Sequence, residues 1–203
     1  MRRASDGTIN LVCDGNSLTL GTGGTAYPTQ LDALCSAAVS TTNLGVGGQT
    51  ATQMSADYLT QVRPLASTRA ARNILLVWEV RNALDIDGST PRAAVDALWA
   101  YVDRAVLSGW EVWVCTVIAS VEIRNITDAK IAAANALIRA EYGAHGCRLI
   151  DLAADARLSD DLDLTYYVAN EGAGATPGGI HLLTAGYGVV AALVKAALSL
   201  PSA

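Results

Sequence analysis

Short apolar runs alternate along the chain with longer segments whose apolar positions recur at helical spacing. Five of the short runs read as strands, at residues 9–13, 42–46, 73–79, 111–117 and 147–152. Helix candidates lie near residues 29–38, 51–62, 91–107 and 128–142, with a last one near 185–198. Pro28 and Pro91 stand where a helix begins, a position that tolerates the missing N–H, and Thr184 is the expected N-cap of the final helix. The run Ile74-Leu75-Leu76-Val77-Trp78 is apolar without a break, as in a parallel sheet covered on both faces. Regular β-α alternation of this kind predicts an α/β fold, a three-layer α/β/α sandwich on a parallel sheet of about five strands. Such sheets bind ligands at the carboxyl ends of their strands. No repeat, low-complexity tract or long linker divides the chain, so residues 1–203 are expected to form a single domain. The least regular stretch is 153–179, and a loop of that length is usually functional or mobile.

Composition removes several function classes. A net charge of −5 with no local Lys or Arg cluster speaks against a nucleic-acid partner. The chain is 51% hydrophobic, yet much of this is alanine in helix-like stretches, and no apolar run reaches the roughly 18 residues of a membrane span. Residues 1–7 lack the apolar core of a signal peptide, so the expectation is a cytoplasmic protein, or one whose leader has been removed. Four cysteines (Cys13, Cys35, Cys115, Cys147) lie far apart with only two histidines to accompany them. Zinc is therefore not expected, and buried free thiols are.

Four segments can carry chemistry. The first strand runs into Asp14-Gly15-Asn16-Ser17-Leu18-Thr19, which puts a serine just past a strand's carboxyl end. Taken alone this reads equally as a helix cap or a turn. After the second strand candidate begins, Asn43-Leu44-Gly45-Val46-Gly47-Gly48 supplies backbone N–H groups beside a helix start, suited to a developing oxyanion or to a plain βα turn. Asn82 follows the third strand, where its amide faces the same edge or satisfies loop backbone. Near the C-terminus, Pro177-Gly178 predicts a type II turn that aims His181 from the loop before the last helix. The competing His145 belongs to a helix-to-strand turn at the other end of the sheet.

In order and spacing these segments resemble the four blocks of the SGNH (GDSL-type) serine hydrolases, from Asn10 to Tyr187. Gly15-Asn16-Ser17-Leu18 looks like the Gly-Asp-Ser-Leu block, with asparagine in place of aspartate before the serine. The resemblance implies a flavodoxin-like fold, Ser17 as nucleophile and His181 as base. It also implies an oxyanion hole of the Ser17 and Gly48 N–H groups and the Asn82 side chain. Val80-Arg81-Asn82-Ala83 falls on the Gly-x-Asn-Asp block and keeps only Asn82. Gly178 occupies the position where the family carries the acid that orients the histidine. A backbone carbonyl from Pro177, Gly178 or Gly179 can take that role in the family, and Glu79, Asp85, Asp151 and Glu171 are the candidate substitutes. Nothing in the sequence selects among them.

The leading reading is thus an esterase for small acyl esters, carbohydrate acetyl groups included, with neither metal nor organic cofactor. The second is a binding domain on the same fold with catalysis lost or weakened, favoured by Gly178, Val80 and Ala83. A third, dinucleotide binding through Gly21-Thr22-Gly23-Gly24-Thr25-Ala26, fails on context. Those glycines begin well beyond the first strand, and no acidic residue ends the second.

Overall fold

A computed structural model describes residues 7–172 and 177–203. Five strands form one sheet: β1 (Ile9–Gly15), β2 (Val39–Asn43), β3 (Arg72–Trp78), β4 (Glu111–Cys115) and β5 (Arg148–Ile150). Every pairing is parallel and the spatial order is β2-β1-β3-β4-β5. The helices are α1 (Ser17–Leu20), α2 (Tyr27–Leu34), α3 (Ala51–Gln61), α4 (Arg81–Asp85), α5 (Pro91–Leu107), α6 (Asp128–Glu141) and α7 (Thr184–Leu198).

Alternation along the buried strands divides the core into two layers. Leu11, Cys13, Ile74, Leu76 and Cys115 pack under α2 and α7, while Val12, Leu75, Val77, Val112 and Val114 pack under α3, α5 and α6. Neighbouring residues of one strand thus serve opposite faces, which is why β1, β3 and β4 carry continuous apolar runs at 11–13, 74–78 and 112–115. The expected three-layer sandwich is what the chain forms. All four cysteines are buried and free. No helix among the described residues is long and apolar enough to cross a membrane.

Three local readings need correction. β2 lies at Val39–Asn43, three residues before the expected 42–46. The Asn43 side chain ends it, with Oδ1 accepting from Gly45 N–H (2.9 Å) and Nδ2 donating to the Thr19 carbonyl (2.9 Å). Thr184 is the first residue of α7, after Leu183 as N-cap, and its hydroxyl accepts from Thr25 N–H (3.0 Å) in place of capping. The short helices α1 and α4 were not expected; each begins at a strand's carboxyl end, below the length at which periodicity is detectable.

This topology locates the crevice. The chain leaves β1 toward β2 on one side and β3 lies on the other, the switch point at which doubly wound sheets bind ligands. Gly15 and Trp78 are in register, so Ser17 and Asn82 leave the sheet at the same edge.

Candidate functional site

Asn16 shapes the turn after β1. Its extended backbone and its side chain, which accepts from Leu18 N–H (2.9 Å), cap α1 and make Ser17 the first helical residue. Ser17 Oγ then lies 2.8 Å from His181 Nε2. His181 is held from the opposite direction by a bridge between Tyr167 and Leu182 and by Val168 N–H donating to the His181 carbonyl (2.9 Å).

The acid is Glu171. Its Oε1 lies 2.6 Å from His181 Nδ1, and its Oε2 accepts the N–H groups of Ile180 and His181, each at 2.7 Å. Burial pushes this carboxyl up, but the His181 contacts and the Ile180 N–H outweigh it and hold it below its ordinary value. An ionised carboxylate against Nδ1 fixes the tautomer that leaves Nε2 free to accept a proton.

Gly178 therefore need not carry an acid. Its φ of +114° is the positive value expected of the turn. The Gly179 N–H donates to the Asp161 carbonyl at 3.0 Å, and the first residue of the expected type II turn, 176, lies outside the described residues. A Cβ on Gly178 would collide with Asp161 Oδ2 and press on Val121 Cβ at 3.1 Å. Gly178→Asp is expected to give no gain in kcat. It should destabilise the fold by about 1–3 kcal/mol through backbone strain, and the carboxylate beside Asp161 adds repulsion. A thermal scan and one activated ester check this; a higher kcat would mean that Glu171 is not sufficient.

The candidate oxyanion donors also converge. Ser17, Gly48, Asn82 and His181 line one cleft of about 240 Å³. Gly48 adopts φ +79°, open to glycine at little strain, and a Cβ there would meet nothing closer than Ile86 at 3.9 Å. Asn82 Nδ2 donates one hydrogen to the Gln49 carbonyl (3.0 Å), which ties α4 to the Gly48 loop and leaves its second hydrogen available. Behind them sits Glu79, buried to 2% exposure. Its carboxyl accepts from Asn82 N–H (2.8 Å) and Ala83 N–H (3.3 Å) on one oxygen and from Ala51 N–H (3.0 Å) on the other. It joins the starts of α3 and α4, and burial raises it to about 7 against the pull of those three donors.

The remaining sequence candidates fall elsewhere. Asp85 pairs with Arg81 and Arg124, and Asp151 with Arg139. His145 stacks on Trp99 and meets Asp103, just before β5 at the opposite end of the sheet. Sequence reasoning named Glu171 only as one of four candidates. Its spacing from His181 follows from loop closure, and no local pattern marks it.

Similarity to known proteins agrees with this geometry. No curated protein matches the chain by sequence. Among solved structures, a lipolytic protein of the G-D-S-L family from Veillonella parvula superposes with a TM-score of 0.75 at 16% identity, covering 95% of this chain and 99% of that one. An acetyl xylan esterase gives 0.69 at 17% identity, covering 93% and 99%, respectively. A family 3 carbohydrate esterase from Clostridium thermocellum gives 0.69 at 17%, covering 93% and 94%. These likenesses show the fold. Residues 13–189, which hold the serine turn, the glycine loop, Asn82 and His181, match the GDSL-like Lipase/Acylhydrolase family, and the chain belongs to that family of hydrolases.

Proposed function

We propose that the protein is a serine esterase that hydrolyses small acyl esters, carbohydrate acetyl groups among them, through an acyl-enzyme on Ser17. One observation carries the reading. An unbroken line runs from Ser17 Oγ through the His181 ring to Glu171, at 2.8 and 2.6 Å, beside a cleft lined by Gly48 and Asn82. In this mechanism His181 Nε2 takes the Ser17 proton as Oγ bonds to the acyl carbon and the carbonyl pair moves onto oxygen. The N–H groups of Ser17 and Gly48 and the second Asn82 hydrogen meet that oxyanion. Collapse expels the alcohol, which takes the proton from His181. Water then repeats the cycle and releases the acid. The small cleft suits a short acyl group, and the esterases among the structural relatives make acetylated sugars the first natural substrates to test. With Glu171 on His181, the glycine at 178 no longer favours a non-catalytic domain.

Labelling with a fluorophosphonate followed by peptide mass spectrometry, alongside turnover of p-nitrophenyl acetate, tests the proposal. Modification at Ser17 with turnover is the expected result; neither labelling nor turnover would overturn it. Asn82→Ala should lower kcat by about 10²–10³, with a smaller effect on KM, because the donor matters most as charge develops. A change below about threefold would reduce Asn82 to its bond with Gln49.

A further inference from the structure

The same cleft carries two charged groups that acyl transfer does not require. Arg81 and Arg124 both line it beside Ser17, and among the described residues no carboxylate does. They share one counter-ion, Asp85, whose side chain is wholly buried. Arg124 forks onto both Asp85 oxygens at 3.1 and 2.6 Å, and Arg81 Nη1 reaches one of them at 3.2 Å. Two guanidinium groups against one carboxylate leave positive charge on this wall, in a chain whose net charge is −5. The other carboxylate whose charge acts on Arg81 is Glu171, which stays ionised but turns its oxygens to His181 and two backbone donors.

Two further details indicate that the wall is built to receive something. Arg81 is 5% exposed, and its Nη2 has no hydrogen-bond partner among the described residues. A buried donor left unmade is costly, so such orphans call for a reason. Arg124 is one of three non-glycine residues with positive φ among those described, at +52°, with Asn125 Nδ2 bonded to the Asp85 carbonyl (2.8 Å) holding the loop in place. The backbone accepts strain there to hold a guanidinium at the cleft wall.

We propose that Arg81 and Arg124 form an anion subsite, so that the preferred esters carry a carboxylate or similar anionic group close to the scissile bond. This rests on the esterase reading and narrows its substrate class. A carboxylate on the acyl part or on the alcohol part meets the same chemistry, and matched esters separate the two. Phenyl acetate against 4-acetoxybenzoate tests the alcohol side; p-nitrophenyl butyrate against mono-p-nitrophenyl succinate tests the acyl side. After correction for alkaline reactivity, kcat/KM should favour the anionic member of at least one pair by about tenfold, the effect of one charge-assisted hydrogen bond. The preference should shrink in high salt and fall at least about fivefold in Arg124→Gln, with partial rescue in Arg124→Lys.

No preference in either pair, or one that survives Arg124→Gln, would overturn the proposal and leave Arg124 as a lock on its loop. Should Arg124→Gln fail to fold, the wild-type ratios and their salt dependence decide on the same terms. Titration of the Ser17→Ala protein with phenyl acetate and 4-acetoxybenzoate, and with the p-nitrophenyl butyrate and succinate pair, requires no turnover. Tighter binding of an anionic member supports the subsite even if the esterase reading fails, and equal binding within both pairs counts against it.

Discussion

Replacing Ser17 by alanine is expected to reduce ester turnover by about 10⁶ in kcat, the loss typical when a serine nucleophile is removed. The fold should survive. The Ser17 hydroxyl hydrogen-bonds to His181 Nε2, α1 is capped by the Asn16 side chain, and alanine suits a first helical position. Such a change stays within about 0.5 kcal/mol of wild type. Two measurements decide the point: thermal unfolding and turnover of p-nitrophenyl acetate. A folded Ser17→Ala protein with wild-type turnover would remove Ser17 from the mechanism.

Glu171→Gln is the second large effect, with kcat expected to fall by about 10⁴. The reason lies in how both carboxylate oxygens are used. Oε2 accepts two backbone N–H groups, and Oε1 meets His181 Nδ1. A glutamine has one carbonyl oxygen to offer. Placed on the backbone donors, it turns the amide NH₂ toward Nδ1 and selects the tautomer with its proton on Nε2, which cannot accept from Ser17. Placed on Nδ1, it sets the NH₂ against two N–H donors and loosens the loop. Either orientation lowers kcat, while KM should move less because Glu171 is not among the described residues that line the cleft. Stability gives an independent readout. Because the folded-state pKa of Glu171 is depressed, its contribution is present above its ordinary value of 4.5 and is lost as pH falls through the lower folded value. The Tm gap between wild type and Glu171→Gln should therefore be widest above that pH and narrow in acid. A Glu171→Gln protein with wild-type kcat would return the orienting role to a backbone carbonyl.

Sequence patterning was sufficient for the architecture. The apolar runs at 11–13, 74–78 and 112–115 arise because adjacent residues of β1, β3 and β4 feed the two core layers, and the helical stretches between them leave parallel crossover as the way to connect them. Ser17, Gly48, Asn82 and His181 could be singled out as candidates because each sits in a short local pattern at a strand end or before a helix. What those patterns do locally, such as a turn after β1 or a glycine with positive φ, depends on nearby residues alone.

Boundaries and partnerships were decided elsewhere. β2 ends at Asn43 because its side chain reaches Thr19, a contact between segments that meet only in the folded chain. Glu171 became the partner of His181 because Val168 and Tyr167 pair with the His181 segment and bring the loop back on itself. Glu79 braces two helix starts that are distant in sequence, and Asp85 collects Arg81 and Arg124 at the cleft wall. Local propensity and periodicity report on neighbours within a turn or a pleat, so they determined the layers and the motif residues. The carboxylate against His181, the bracing of the Asn82 segment by Glu79 and the charges at the cleft wall depend on side chains brought together over long sequence distances, and only the tertiary structure could reveal them.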